Sequence, residues 1–220
     1  GGKLKYFISG GAALNPEIGS FFMALGVKLL QGYGQTEASP VISANRPGKI
    51  KIETVGPPVA GVEVRFADDG EILVRGDLLM KGYWRDDHST AATIRDGWLY
   101  TGDIGTCDDD GYITITGRKK EIIVNSGGEN IVPSRVEALL TIEPEIEQAL
   151  VDGDRRPWLA AVIVPSAEAR AAAVSDEALK LLITETIERA NSRLSQIERV
   201  RRFIIADEDF TTENSQLTST

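Results

Sequence analysis

An apolar run, Val27-Lys28-Leu29-Leu30, delivers the chain directly into Gln31-Gly32-Tyr33-Gly34-Gln35-Thr36-Glu37. The run reads as a strand, and the stretch after it as a ligand loop. Glycines let backbone N–H groups approach a phosphate without a Cβ in the way. Tyr33 offers a face to a planar base, Thr36 can donate to a phosphate oxygen, and Glu37 can hold Mg2+. A chain built around such a stretch must bring a strand end to the surface, and in α/β sheets ligands gather beyond the carboxyl ends of strands. Seven residues alone also fit an ordinary Gly-rich turn, so the rest of the chain has to decide.

Upstream, Tyr6-Phe7-Ile8 is a short apolar run ending in Ser9-Gly10-Gly11-Ala12. Asn15 then suits a helix cap and Pro16 the first helical turn, with Ile18, Phe21, Phe22 and Leu25 as an apolar stripe. Strand, helix, strand and loop in this order predict an α/β layer whose two Gly-rich loops face one ligand. Gly32-Tyr33-Gly34 lacks the third glycine of a dinucleotide fingerprint, and no Gly-Lys-Ser/Thr phosphate loop occurs in the chain.

From Lys49 onward the pattern turns to short β segments. Val62, Val64 and Phe66 alternate with Glu63 and Arg65, Asp68-Asp69-Gly70 makes a turn, and Ile72-Leu73-Val74 returns as a hairpin. Strand and turn material continues through Tyr83-Trp84, Trp98-Leu99-Tyr100 and Tyr112 to Thr116, which predicts a small barrel-like β unit. Asp108-Asp109-Asp110-Gly111 reads as a solvated hairpin turn, because an EF-hand count from Thr106 puts Gly117 where the bidentate Glu belongs. After Gly117 come a strand at Ile122-Ile123-Val124, a Gly loop, and a helix starting near Pro133 with Val136, Leu139 and Leu140 inward. A hairpin follows at Ile146–Val151 and Trp158–Val164, then alanine-rich helix material at 167–173. A long helix runs from a Ser175 cap through Leu194, with Glu185 and Arg189 spaced to pair at i,i+4.

The predicted fold class is therefore mixed α/β and α+β: the end of an α/β nucleotide-binding subdomain at 1–50, a β-barrel-like subdomain at 51–117, and a small α+β domain at 118–220. At 220 residues, 42% hydrophobic and 26% charged, this is an ordinary globular composition. The 24 basic and 33 acidic residues give a net charge of −9, which argues against nucleic acid as a partner. Cys107 is the single cysteine, so neither an intrachain disulfide nor a Cys-cluster zinc site can form. No apolar run approaches the roughly 20 residues of a membrane span, and no basic-then-apolar leader opens the sequence. A cytoplasmic setting is expected, with peripheral membrane contact left open. His88, among Asp86, Asp87 and Ser89, has no metal-spaced partner, and Cys107 lies beside aspartates that disfavour its thiolate.

Four Gly-rich segments in order, namely Ser9–Ala12, Gln31–Glu37, Trp98–Asp103 and Gly117–Glu121 with Asn125–Asn130, resemble those of the adenylate-forming superfamily. The run Ser126-Gly127-Gly128-Glu129-Asn130-Ile131-Val132-Pro133 and the tail from Leu194 to Thr220 look most like a long-chain fatty-acid–CoA ligase. The resemblance implies the use of ATP, released as AMP, with Mg2+ and CoA, a fatty acid as substrate, and a mobile lid as the α+β domain. It implies that Gly10, Gly11 and Ala12 line the adenine pocket and that Gly32, Tyr33, Gly34 and Gln35 shape the nucleotide loop, Tyr33 stacking on the base. Thr36 would meet the α-phosphate and Glu37 would ligate Mg2+, as the catalytic pair. Asp103 and Arg118 would hold the ribose, Gly127 would let the pantetheine arm pass, and Lys120 would be the hinge. Arg135 departs from the acidic residue often found there, although Glu137 keeps the second.

By the same resemblance the phosphate loop and the catalytic lysine lie outside the chain. Residues 1–220 are thus expected to be inactive alone and to self-associate through apolar surface left bare. Aryl-acid or carrier-protein loading, or AMP binding without turnover, are the alternatives.

Overall fold

The computed structural model describes residues 2–12 and 14–217; Gly1, Ala13 and Thr218–Thr220, the last three residues of the tail, lie outside it. The chain forms two compact units, Gly1–Lys120 and Glu121–Thr220.

The first unit opens with β1 (Phe7–Ser9), α1 (Pro16–Ala24), β2 (Leu29–Gly34) and β3 (Val41–Ala44), forming a sheet in the order β1-β2-β3. β1 lies parallel to β2, with Ser9 level with Gln31. The Gly10–Ala12 turn therefore leaves the sheet at the end where Tyr33 stands. Helix α1 begins where the sequence places it: Asn15 Oδ1 accepts from the amides of Glu17 at 2.8 Å and Ile18 at 3.3 Å. Its stripe is not buried within this chain, since Phe21 is 61% and Leu25 65% exposed.

The stretch expected to be a loop is strand as far as Gly34, because β2 pairs antiparallel with β3. Its glycines answer to that pairing. A Cβ on Gly34 would sit 1.6 Å from the Pro40 carbonyl oxygen, and one on Gly32 would sit 3.3 Å from that of Ser43. The chain's own return, rather than a phosphate, excludes side chains here. The loop proper is a 3-10 turn at Thr36–Ala38, closed by Ser39 in the left-handed region.

The second sheet of this unit contains β4 (Glu63–Phe66), β5 (Glu71–Arg75), β6 (Ile94–Arg95), β7 (Trp98–Cys107) and β8 (Ile113–Arg118). Its order is β4-β5-β7-β6, with β8 also on β7. Where a barrel-like closure was expected, the ladders leave one side of β4 without a strand partner among the described residues. The amide of Val55 donates to the Ile113 carbonyl and that of Ile113 to Gly56, and Ser43 bridges Pro58. Residues on both sides of position 50 thus belong to one unit, over a core of Ala38, Ile42, Ile72, Val74, Leu99 and Ile113.

Of the strand and turn material expected through Tyr83-Trp84, the structure has a turn closed by a Tyr83–Asp86 bridge, leading into α2 (Asp87–Thr93). Asp86 Oδ1 caps that helix from the Ser89 amide at 2.9 Å, and His88 falls in its exposed first turn. Asp108-Asp109-Asp110-Gly111 is the β7–β8 turn. Asp108 Oδ1 accepts from the amides of Asp110 and Tyr112, and Lys51 Nζ reaches both Asp108 at 2.6 Å and Asp110 at 2.7 Å.

The second unit comprises β9 (Ile123–Val124), β10 (Asn130–Ile131), α3 (Pro133–Leu140), β11 (Ile146–Asp152), β12 (Leu159–Pro165), α4 (Ala167–Ala172), α5 (Asp176–Asn191) and β13 (Val200–Ile205). β11 and β12 form the expected hairpin, and β13 joins β12 in parallel. Among the described residues, sixteen buried ones, including Val136, Leu140, Leu159, Ile163, Ile183 and Ile187, make one core. Helix α5 starts at the Ser175 cap but ends at Asn191, so buried Leu194 lies beyond it. Arg189 does not pair with Glu185; it reaches Glu143 at 2.9 Å and Glu145 at 2.7 Å, where a fork of donors meets two carboxylates at once.

Candidate functional site

The β7–β8 register places Asp103 opposite Arg118. Arg118 Nε lies 3.2 Å from Asp103 Oδ1, and the Tyr33 hydroxyl donates to Oδ2 at 2.6 Å. Three residues that are 15 to 85 positions apart in sequence therefore meet on one carboxylate. Asp103 is only 5% exposed, and burying a carboxylate is costly unless it is paired and hydrogen-bonded. The exposed guanidinium and the phenol offset that cost. Burial, and then the Asp103 acceptor, push the Tyr33 phenol well above its ordinary value. Tyr33 also packs against the apolar core of the unit.

The backbone around Asp103 is fixed by neighbours whose roles no local sequence pattern announces. Thr101 Oγ1 accepts from the Asp103 amide at 3.1 Å and donates to the Ile72 carbonyl at 2.8 Å. Gly102, at φ +73°, donates its N–H to Glu71 Oε1 at 2.9 Å, while its carbonyl accepts from the Lys119 amide at 2.8 Å. The other oxygen of buried Glu71 takes Lys119 Nζ at 2.8 Å, and the same ammonium reaches Asp69. These contacts hold Lys119 above its ordinary value and Asp69 below its own. A glutamate opening a hairpin strand carries no sequence signal of this kind; only the β5–β7 pairing brings it to Gly102.

Glu37 lies in the 3-10 turn, half-buried beside exposed Thr36. Its Oε1 accepts from the Tyr83 hydroxyl at 2.8 Å. Gln35 has a buried side-chain Nε2 without a hydrogen-bond partner among the described residues, an orphan donor in the ligand loop. Gly10 stands next to Gly32, whose carbonyl oxygen is 3.4 Å from where a Gly10 Cβ would be, and Gly11 has φ +87°.

In the second unit, Gly127 is exposed in the β9–β10 turn. Asn125 Oδ1 gathers the amides of Gly127 and Glu129, both at 2.9 Å, and Gly128 supplies the positive φ of +79°. Arg135 pairs with Glu198 at 3.1 Å, and Glu137 Oε1 accepts from the Val151 amide at 2.9 Å. Lys120 is exposed and is the last residue of the first unit.

Such a carboxylate, with the phenol and guanidinium on it, can receive vicinal hydroxyls. The family model for AMP-binding enzymes matches residues 1–84, and that for the AMP-binding enzyme C-terminal domain matches residues 120–218. The chain belongs to the AMP-binding, adenylate-forming enzymes. A long-chain-fatty-acid–CoA ligase of Mycobacterium bovis is 41% identical over 235 residues, covering 100% of this chain and 39% of the relative. A feruloyl-CoA synthase of an Amycolatopsis species is 37% identical, covering 74% of this chain and 36% of the relative. Among solved structures, the A-PCP didomain of a carboxylic acid reductase from Segniliparus rugosus in complex with AMP superposes with a TM-score of 0.81 at 29% identity, over 97% of this chain and 31% of that one. The O-succinylbenzoate coenzyme A synthetase of Bacillus subtilis in complex with ATP and magnesium gives 0.75 at 27%, over 92% and 43%. The chain thus spans about two fifths of the length of the curated relatives it matches. No described helix is long and apolar enough to cross a membrane.

Proposed function

We propose that this chain supplies nucleotide-side and acceptor-side residues of an acid–CoA ligase that activates a long-chain fatty acid in the cytoplasm. In that reaction a carboxylate oxygen attacks the α-phosphorus of ATP and pyrophosphate leaves. The CoA thiol then attacks the acyl carbon and AMP leaves. The observation that carries this reading is the buried Asp103 carboxylate held between Tyr33 and Arg118. A carboxylate offers about four lone-pair sites, so with Tyr33 and Arg118 in place roughly two remain for the ribose hydroxyls. Tyr33 and the Gly10–Ala12 turn would flank the base. Gln35 and Thr36 would donate to phosphate oxygens where charge develops.

The residues fit Mg2+ as well. That ion binds through one or two carboxylates together with waters and phosphate oxygens. Glu37 beside the Thr36 hydroxyl is such a hard, sparse donor set, and among the described residues no cluster of three or more His, Cys, Asp or Glu exists to hold a metal without substrate. When bound, Mg2+ would offset phosphate charge; Glu37 would orient it. Gly127 would leave room for the pantetheine arm, and Lys120 would be the hinge between adenylation and thioester formation.

Calorimetric titration with AMP tests the reading. Asp103→Ala should weaken AMP by about 1.5–3 kcal/mol, the range for charge-assisted hydrogen bonds; unchanged affinity would sink it. The similarity to feruloyl-CoA synthase favours a second reading with an aromatic acid. Pyrophosphate exchange by the native protein with long-chain against cinnamate-type acids separates the two.

A further inference from the structure

The segment Met80–Asp86 is docked against the Thr36–Ala38 turn from both sides of Glu37. The Met80 amide donates to the Glu37 backbone carbonyl at 2.8 Å, and the Tyr83 hydroxyl donates to Glu37 Oε1, also at 2.8 Å. Tyr83 is in turn held from behind. Its own amide donates to Thr90 Oγ1 at 2.9 Å, and that hydroxyl donates to the Asp86 carbonyl at 2.8 Å inside the capped start of α2. Gly82 permits the approach: at φ +146° a Cβ there would lie 2.8 Å from Thr90 Cγ2. The phenol is thus fixed by a short chain of bonds running back to a helix N-terminus, on a segment 46 residues from Glu37 in sequence.

We propose that Tyr83 is a positioning residue for Glu37, binding one carboxylate oxygen so that the other is presented alone to a divalent cation carried by the nucleotide. The proposal rests on the reading of Glu37 as the metal-side carboxylate. A carboxylate without such a partner rotates between one-oxygen and two-oxygen presentations, and a small cation with strict octahedral demands binds the first. Fixing the rotor removes part of the ordering cost of binding. Tyr83 touches no reacting atom, and its effect passes through Glu37.

The test is calorimetry of ATP binding by the protein across a Mg2+ titration, beside AMP binding without metal. Tyr83→Phe keeps the ring and its packing and removes only the hydroxyl. It should raise the half-saturating Mg2+ concentration roughly 10-fold, the lower end for groups that orient a metal ligand, and leave AMP affinity and melting temperature unchanged. Glu37→Gln should raise it at least as far, and the double variant Glu37→Gln/Tyr83→Phe should behave as Glu37→Gln alone, because Tyr83 has nothing left to position. If Glu37→Gln shifts the Mg2+ dependence while Tyr83→Phe does not, the positioning role is overturned and the metal-side reading of Glu37 stands. If Glu37→Gln itself shifts nothing, both fall. A Tyr83→Phe variant that weakens AMP and Mg·ATP equally, or whose effect adds in full to that of Glu37→Gln, assigns Tyr83 a packing role instead and overturns the proposal.

Discussion

The two compact units spend their apolar residues differently. Among the described residues, the second unit gathers sixteen buried side chains into one cluster, whereas the core of the first holds six, bordered by nine partly buried ones. Both units also leave apolar side chains more than half exposed, Leu4, Ile8, Phe21 and Leu25 in the first and Leu150, Val174, Leu181 and Ile204 in the second, so the difference lies in the cores. The first unit invests instead in polar fixation: Tyr33, Asp103 and Arg118, and the Glu71–Lys119–Asp69 cluster beside them. One unit is organised by packing and the other by a buried polar network.

The sharpest way to break that contrast is in the second core. Ile183 is fully buried in α5, and Ile183→Ala should cost about 2–5 kcal/mol through lost burial and a residual cavity. AMP binding by the first unit should stay unchanged at temperatures where the variant is folded. Calorimetric melting beside AMP titration checks both halves. A loss of AMP affinity in the folded variant would show that the units are not energetically separate.

Next in size is the junction. The division falls between Lys120 and Glu121, and Lys119 is clamped to Glu71, Asp69 and the Gly102 carbonyl. Exposed Lys120 is the first residue past that clamp. Proline fixes φ and restricts the residue before it. In the native protein, Lys120→Pro should leave pyrophosphate exchange largely intact and cut thioester formation roughly 100-fold, the scale of a small misplacement of reacting groups. Equal slowing of both half-reactions, or of neither, would return Lys120 to a solvated surface role.

Elements with local signals were legible in the sequence. Asn15 and Ser175 marked helix starts, Asp69-Gly70 marked a hairpin, and the Val136, Leu140 and Ile183 positions marked the second core. What escaped was set by long-range pairing or by competition. Gln31–Gly34 looked like a loop because glycines are poor strand formers, yet β3 pairs with them and needs their lack of side chains. Helix spacing points Arg189 to Glu185, but the fold brings it Glu143 and Glu145, two carboxylates for one fork of donors. Glu71 and Tyr83 were invisible for the same reason: their partners lie 31 and 46 residues away and only the fold brings them in.

The smallest expected effect sharpens the comparison by its sign. Burial is the main force raising the Glu137 carboxyl above its ordinary 4.5, with the charge of Glu121 adding to it and the Val151 amide pulling back. The folded state therefore holds this proton more tightly than the unfolded chain does. Its contribution to stability is fully present below about pH 4.5 and is lost as pH rises through the folded value. Asp69 in the first unit runs the other way. The Lys119 ammonium holds it below its ordinary 3.8, so its contribution is present above pH 3.8 and is lost as pH falls through the folded value. Glu137→Gln keeps an oxygen for the Val151 amide and removes the desolvated charge. It should therefore melt with the parent near pH 4 and slightly above it at pH 7, by a few tenths of a kcal/mol at most for a half-exposed group screened by water. Asp69→Asn should melt below the parent at pH 7 and converge with it in acid. Melting curves of both variants from pH 3 to 7 would read the two signs, and parallel shifts in the same direction would mean that the carboxylates of the two units are not held in opposite ways.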